Sequence, residues 1–234
     1  MGEAALRRLG GYAVFAGVAA CLVTPLLGLA WFGTADGVDA LDSGSVSWWA
    51  DPARDWLDPL LTWASADRVY STYVQAMALL FPALLLAAFH AARTRTPRTR
   101  VERIGWRVML TGYLVALTGV TLVSALLIPF SPSSDAVDVA FLALMVPGTL
   151  LSTFGSTMLG ISLLRGRWQP RATGWLLAIA FPFWFVVSIV LGHNGLGMLA
   201  MFLAWAWYGR AVLLASPGIE TANGSGSLMS TVTN

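Results

Sequence analysis

Long uncharged apolar runs alternate with short polar segments along most of the 234-residue chain. A helix needs about 20 apolar residues to cross the hydrocarbon of a bilayer. Four separate runs reach that length, at 11–33, 69–92, 108–130 and 139–164. Residues 172–209 are a further 38 without Asp, Glu, Lys or Arg, which fits two helices, 173–191 and 196–214, joined at the turn 192–195. The pattern predicts an all-α polytopic membrane helix bundle with six transmembrane helices in residues 1–215.

The arginines divide the polar connections into two classes. Basic residues accumulate in the cytoplasmic loops of membrane proteins. Twelve of the fourteen basic residues, all arginine, lie in the N-terminal segment, the second and fourth connections and the end of the last run. The opposite connections hold only Arg54 and Arg68. The bias predicts a multi-pass protein of a bacterial plasma membrane with its N-terminus and C-terminus in the cytoplasm.

The most basic segment, "HAARTRTPRTRVERIGWR" (90–107), suits either a nucleic-acid patch or a cytoplasmic loop. It holds six arginines and one glutamate, but the net charge of the whole chain is only +2. A loop this short has no motif that reads bases, and its place between two apolar runs favours a topogenic loop. Such a loop also contacts anionic lipid headgroups. The expected partner is the lipid bilayer, and no nucleic acid is expected.

The composition agrees with a membrane protein. Hydrophobic residues make up 57% of the chain and charged residues only 11%, whereas a soluble domain carries roughly 25% charged residues. A soluble fold with so little charge would expose large apolar patches to water, while a bilayer solvates them.

The connection at 34–68 is the only one long enough to have structure of its own. Trp49, Trp56 and Trp63 recur every seven residues, which places them on nearly one face of a helix. Because tryptophan favours the headgroup boundary, the first interpretation is an outer interfacial segment. A lid over a cavity and a partner-binding surface are the alternatives. The Gly- and Ser-rich segment 216–234 is predicted to be a disordered cytoplasmic tail.

Few polar side chains interrupt the apolar runs. Gln75 is the most polar of them, and it suits either an outward-facing cavity or an interhelical hydrogen bond. If the bundle has a polar path or cavity, its expected lining is Gln75, Thr111, Thr118, Ser152 and Ser156. We therefore keep a transport pathway as one hypothesis for these residues.

The fourth apolar run carries a stripe of small residues. Gly148, Ser152, Ser156 and Gly160 recur every four residues, and such a stripe allows another helix backbone to approach closely. The stripe overlaps "STFGST" (152–157), which could suggest a nucleophilic serine. No histidine or carboxylate is placed to activate it, so helix packing is the favoured interpretation.

No catalytic, cofactor or metal site is recognisable. His90 and His193 lie at opposite ends of the predicted spans, so they cannot share one metal ion or haem. Cys21 is the only cysteine, which excludes an intrachain disulfide and a cysteine metal cluster.

Two segments resemble a known group of proteins. They are "ADRVYSTYVQAMALL" (66–80) and "GISLLRGRWQPRATGWLL" (160–177), and together they are similar to segments of small multi-pass actinobacterial membrane proteins of unknown function. The second pairs a helix end with an arginine-containing turn at Pro170 and a helix restart at Gly174. The resemblance implies a helical bundle in the plasma membrane and brings no activity or site with it.

Three function classes follow from these observations. The leading hypothesis is a non-catalytic scaffold or partner subunit, whose partner is another membrane protein or a second copy of the chain. The alternative is a channel or transporter for a small neutral or amphipathic solute. A membrane enzyme or redox subunit is the third class, and the scarcity of ionisable groups in the apolar runs disfavours it.

Overall fold

The computed structural model describes residues 2–32, 34, 48, 52, 65–127, 134–190 and 194–215, and every regular element within them is a helix. The elements in chain order are α1 (Glu3–Phe32), α2 (Ala66–Thr94), α3 (Arg100–Leu126), α4 (Asp135–Ala140), a π-helical segment (Phe141–Met145), α5 (Val146–Arg165), α6 (Arg171–Ala178), α7 (Ala180–Val190), α8 (Asn194–Gly197) and α9 (Leu199–Ala215). The all-α prediction is confirmed for the described residues.

Five of the described helical stretches are long and apolar enough to cross a membrane. They are α1, α2, α3, the continuous helix Asp135–Arg165 and the stretch Gly195–Ala215. The pair α6 and α7 passes the same test as a sixth span if the two helices, bent by 46°, are counted together. Five to six such helices are the pattern of a multi-pass membrane protein. The predicted number of six corresponds to the upper count.

The starts of α2 and α3 and the end of the π-helical segment lie at residues whose chemistry explains them. Ser65 accepts the Arg68 N–H at 3.3 Å at the start of α2, and Thr99 accepts the Glu102 N–H at 3.1 Å at the start of α3. Such N-caps satisfy donors that the first helical turn leaves unpaired. The π-helical segment ends just before Pro147, which has no N–H to donate to the preceding turn.

The long helices form a closed ring. α1 packs on α2, α2 on α3, α3 on α5, α5 on α6, and α6 on α9, which returns to α1. Small residues allow this last contact, because a Cβ on Gly10 would lie 2.7 Å from the Gly209 carbonyl oxygen. The face of α1 toward the ring interior carries Ala13, Ala16 and Ala20, all buried. The helix order therefore follows the chain order around one shared core.

The outside of the ring exposes large apolar side chains on each of its helical stretches. Representative exposed residues are Leu22, Leu79, Leu114, Leu142, Ile189 and Leu214. An outer surface of this kind would be unfavourable in water and is the surface that lipid chains solvate.

Some sequence predictions concern residues outside the described ranges. Trp49, Trp56 and Trp63 of the predicted outer segment lie outside them, as does the predicted tail 216–234. His193, in the turn between the last two predicted spans, does as well.

Candidate functional site

The five residues of the predicted polar path lie in two different environments. Gln75, Thr111 and Thr118 are on exposed faces of α2 and α3, whereas Ser152 and Ser156 are fully buried. Thr118 and Ser152 each donate a hydrogen bond of 2.9 Å to a carbonyl of their own helix. Within the described part of the chain, the structure does not bring these five side chains to one cavity.

Thr111 lines a groove on the outside of the bundle between α2 and α3. The groove has a volume of about 410 Å³, and its other lining residues are Leu85, Leu86, Phe89, Leu110 and Leu114. Its lining is apolar apart from the Thr111 hydroxyl. The groove therefore provides no chain of polar groups through the bundle.

The small-residue stripe of α5 lies against two neighbouring helices. A Cβ on Gly148 would lie 2.5 Å from the Ala116 backbone nitrogen of α3, and a Cβ on Gly160 would overlap the backbone of Ala178 on α6. Ser152 lies opposite Gly112 of α3, where a Cβ would again meet backbone atoms. Backbone therefore contacts backbone along this interface.

α3 supplies the complementary half of that interface. Gly105, Gly112 and Gly119 recur at seven-residue intervals, and a Cβ on any of them would crowd α5 or the π-helical segment. This spacing can be recognised in the sequence, and it indicates that α3 packs against α5. The stripe of small residues on α5 does not by itself identify the partner helix.

A buried polar network fills the centre of the ring. The Tyr113 hydroxyl accepts a hydrogen bond from Trp205 Nε1 at 2.8 Å and lies 3.3 Å from Ser156 Oγ. Ser156 Oγ is also 3.5 Å from Met201 Sδ. All four side chains are at most 1% exposed. The network therefore joins α3, α5 and α9 around groups that are satisfied inside the protein.

The junction of α6 and α7 is held by a side chain from α5. The Phe181 N–H donates to Thr157 Oγ1 at 3.0 Å, and the Thr157 hydroxyl donates to the Leu177 carbonyl at 3.4 Å. Pro182 follows at once and cannot donate an N–H to the preceding turn. Thr157 thus supplies a partner for backbone groups that the 46° bend separates.

One end of the bundle carries two arginine-rich connections, 90–107 and 165–171, which we call the arginine-rich end. They hold six and three arginines respectively, nine in total, against one acidic residue, Glu102. Arg98 Nη1 donates to the Gly166 carbonyl at 3.1 Å, so the two connections are in direct contact. This contact places both arginine-rich connections at the same end of the bundle.

Glu102 forms a buried ion pair at this end. It is only 1% exposed, and its carboxylate accepts from Arg95 Nε and, at 3.3 Å, from Arg95 Nη2. The Arg98 N–H donates to the same carboxylate at 3.1 Å. Because Thr99 caps the Glu102 N–H, Thr99 and Glu102 have the spacing of a capping box. The carboxylate therefore fixes the position of the Arg95 guanidinium.

A cavity of about 650 Å³ lies beside this ion pair. Its lining includes Arg95, Thr96, Arg98, Trp168, Gln169 and Tyr208. These residues come from the connection after α2, the turn after α5 and the last helix. The lining residues therefore carry two guanidinium groups, an amide, several hydroxyl groups and two aromatic rings.

The aromatic side of the cavity is fixed by contacts between distant parts of the sequence. Trp168 stacks on Tyr208 with ring centroids 5.8 Å apart and an interplanar angle of 19°. His90 Nδ1 lies 2.8 Å from the Tyr208 hydroxyl. The sequence places His90 at one end of the predicted spans and indicates no role for Trp168 and Tyr208. The capping-box spacing of Thr99 and Glu102 can be recognised in the sequence. No local pattern indicates the contact between His90 and Tyr208, which are 118 residues apart.

The described residues contain no group of three or more His, Cys, Asp or Glu side chains that could hold a metal ion. Comparisons of the chain with models of protein families, with curated proteins and with solved structures found no match.

Proposed function

We propose that the protein is a plasma-membrane scaffold or partner subunit without catalytic machinery of its own, with its arginine-rich end and both termini in the cytoplasm. Two groups of contacts support this orientation. The Arg98–Gly166 hydrogen bond joins two arginine-rich connections, and the His90–Tyr208 contact brings the last helix to the same end. Basic residues gathered at one end are retained on the cytoplasmic side during insertion.

The packed centre of the bundle is the observation that carries the scaffold role. Tyr113, Trp205 and Phe202 are at most 1% exposed, and they occupy the space between α3, α5 and α9. Phe81 of α2 adds edge-on ring contacts to Tyr113 and Phe202. A transport pathway needs a polar cavity at this depth, whereas a scaffold needs a rigid core and available outer faces. The partner would then be another membrane protein or a second copy of the chain.

Site-specific photo-crosslinking tests the scaffold role. A photoreactive amino acid is placed at exposed positions around the ring, one per variant: Leu22, Leu79, Leu114, Leu142, Ile189 and Leu214. A partner should be captured from one or two neighbouring faces, and a buried position such as Leu84 serves as the control. If every exposed position gives only uncrosslinked protein in intact membranes, the scaffold proposal is wrong.

Reporter fusions test the orientation. An enzyme active only in the cytoplasm is inserted at 93–107, and an enzyme active only outside the membrane is inserted at 34–68. We expect both fusions to be active, since the first connection should be cytoplasmic and the second external. Loss of activity in both fusions would reverse the orientation. Activity in only one of the two would place both connections on the same side and exclude the six-span topology.

The bend between α6 and α7 favours a second candidate, a channel or transporter for a small neutral or amphipathic solute. Interrupted membrane helices occur at the substrate sites of many transporters, and α6 and α7 meet at 46° beside Thr157. Flux of labelled neutral solutes into proteoliposomes tests this role. Uptake that exceeds that of protein-free vesicles and is reduced in Thr157→Val would favour it over the scaffold role.

A further inference from the structure

The cavity at the arginine-rich end has a lining suited to a specific kind of ligand. Its volume of about 650 Å³ falls within the roughly 300–1,000 Å³ typical of small-molecule sites. Its lining contains two arginines, Arg95 and Arg98, together with the stacked pair of Trp168 and Tyr208. The ligand should therefore carry an anionic group attached to a larger body.

The ion pair with Glu102 holds the Arg95 guanidinium in place before a ligand binds, and it uses only some of the guanidinium N–H donors. A guanidinium has five N–H donors in a planar fork. Glu102 accepts from Nε and from Nη2 of Arg95, which leaves three N–H donors by count. The Arg95 side chain is 11% exposed and the Glu102 side chain 1%. Because a buried carboxylate holds the fork, little side-chain entropy is lost when an anion binds.

The charge around the cavity remains positive despite the ion pair. The two connections that form the arginine-rich end contain nine arginines and one glutamate, and Glu102 offsets only one of them. Arg98 donates from Nη1 to the Gly166 carbonyl, and Arg98 as a whole is exposed. Paired guanidinium groups are suited to phosphate oxygens, which they bind through parallel hydrogen bonds.

We propose that this cavity binds a phosphate ester. Arg95 and Arg98 would contact the phosphate oxygens, and the Trp168–Tyr208 pair would contact the group that the phosphate carries. The phosphate can belong to the headgroup of an anionic phospholipid or to a soluble phosphate ester, since both present the same chemistry. The site does not depend on whether the chain acts as a scaffold or as a transporter.

Two probes distinguish the sources of the phosphate. Native mass spectrometry of the full chain, released from nanodiscs with equal phosphatidylglycerol and phosphatidylcholine, measures the retained lipid. Glycerol 3-phosphate is titrated against the detergent-solubilised chain in parallel. Preferential retention of phosphatidylglycerol without glycerol 3-phosphate binding identifies a lipid headgroup, and glycerol 3-phosphate binding identifies a soluble ester. If neither probe binds the unchanged chain selectively, the proposal is overturned.

Three variants separate a built site from general attraction to positive charge. Arg98→Gln removes one guanidinium from the cavity, and Arg95→Gln/Glu102→Gln removes the other without changing the net charge. Arg103→Gln is the control, because Arg103 is exposed on α3 outside the cavity lining. We expect about tenfold weaker binding in each of the first two variants, since each loses charge-assisted hydrogen bonds, and less than twofold in the control.

The variants also give the result that would refute the site. Binding that follows net charge would fall in Arg103→Gln and stay unchanged in the double variant, and that outcome overturns the proposal. Thermal unfolding of each variant confirms that it is folded. If the double variant fails to fold, the comparison of Arg98→Gln with Arg103→Gln still decides the question.

Discussion

Thr157 Oγ1 on α5 accepts the backbone N–H of Phe181 at 3.0 Å, at the point where α6 gives way to α7. The same hydroxyl donates to the Leu177 carbonyl at 3.4 Å. One side chain therefore bridges the two sides of a bent helix from a neighbouring helix. The bend is part of the packed structure, because its freed backbone groups have partners inside the protein.

Thr157→Val should destabilise the bundle by about 1 kcal/mol. Valine keeps the shape of threonine but leaves the Phe181 N–H without its acceptor in an apolar environment. Thermal unfolding in mild detergent measures the effect. Thr111→Val is the matched control, because Thr111 lies on an exposed face of α3 and its loss should change stability little. Equal stability of the two variants would show that Thr157 does not support the bend.

Gly112→Ala should be strongly destabilising, by about 2 kcal/mol or more. A Cβ on Gly112 would lie 2.6 Å from Ser152 Cα, and the contacting atoms are backbone, which cannot rotate away. α3 and α5 would have to separate along their shared interface. Chemical unfolding or protease resistance in detergent measures the change.

Gly11→Ala provides the matched control for Gly112→Ala. Gly11 lies in α1, and a Cβ there would meet nothing within 4 Å. Since alanine is the better helix former, this variant should be as stable as the unchanged chain or slightly more so. A Gly112→Ala protein with unchanged stability would mean that α3 and α5 are not in backbone contact.

The sequence predicts the helices of this fold better than their arrangement. Hydrophobic run length alone gave the spans, because lipid solvation imposes that length on each helix separately. The segment 173–191 was predicted as one span. Pro182 indicates a bend in it, but the amount of bending depends on Thr157 of another helix. Gln75 was the most prominent polar residue of the apolar runs, yet its face of α2 is exposed.

The cavity could not be predicted in the same way. It is assembled from three segments far apart in the chain, and each reads locally as an ordinary cytoplasmic connection or helix end. The accumulation of basic residues in cytoplasmic loops already accounts for the arginines near Glu102. Their number alone therefore does not indicate a ligand site. Only the three-dimensional structure shows that Trp168, Tyr208 and the connection after α2 line one cavity.

Arg167→Gly should stabilise the protein by about 1 kcal/mol. Arg167 has a positive φ of 52°, a region that side chains other than glycine adopt at a cost. It follows the end of α5, where the Trp168 N–H returns to the Leu163 carbonyl at 3.0 Å and the Arg167 N–H to the Leu164 carbonyl at 3.1 Å. These are the bonds of a Schellman motif, in which glycine is usual at this position.

Thermal unfolding measures the Arg167→Gly effect, with Arg165→Gly as the control. Arg165 is the last residue of α5, where glycine should lower stability. If Arg167→Gly is as destabilising as Arg165→Gly, the positive φ is not a source of strain. A stabilised variant would also give a more stable protein for the phosphate-binding measurements. The changed residue directly precedes Trp168, which lines the cavity.

Glu102→Gln should destabilise the protein by about 2–3 kcal/mol. The change leaves Arg95, whose side chain is 11% exposed, without its anionic partner. Arg95→Gln/Glu102→Gln should recover most of that loss, because two neutral amides can hydrogen-bond to each other without a buried charge. Chemical unfolding of both single variants and the double variant gives a coupling free energy, which we expect to be about 2 kcal/mol.

The exposed pair between Glu3 and Arg7 is the matched control for this cycle. Its N–O distance is 2.7 Å, and the side chains of Arg7 and Glu3 are 44% and 52% exposed, so water screens the attraction between them. Glu3→Gln should therefore change stability by less than about 1 kcal/mol. A coupling free energy near zero for Arg95 and Glu102 would mean that the two charges are solvated independently. In that case Glu102 would not hold the Arg95 guanidinium at the cavity.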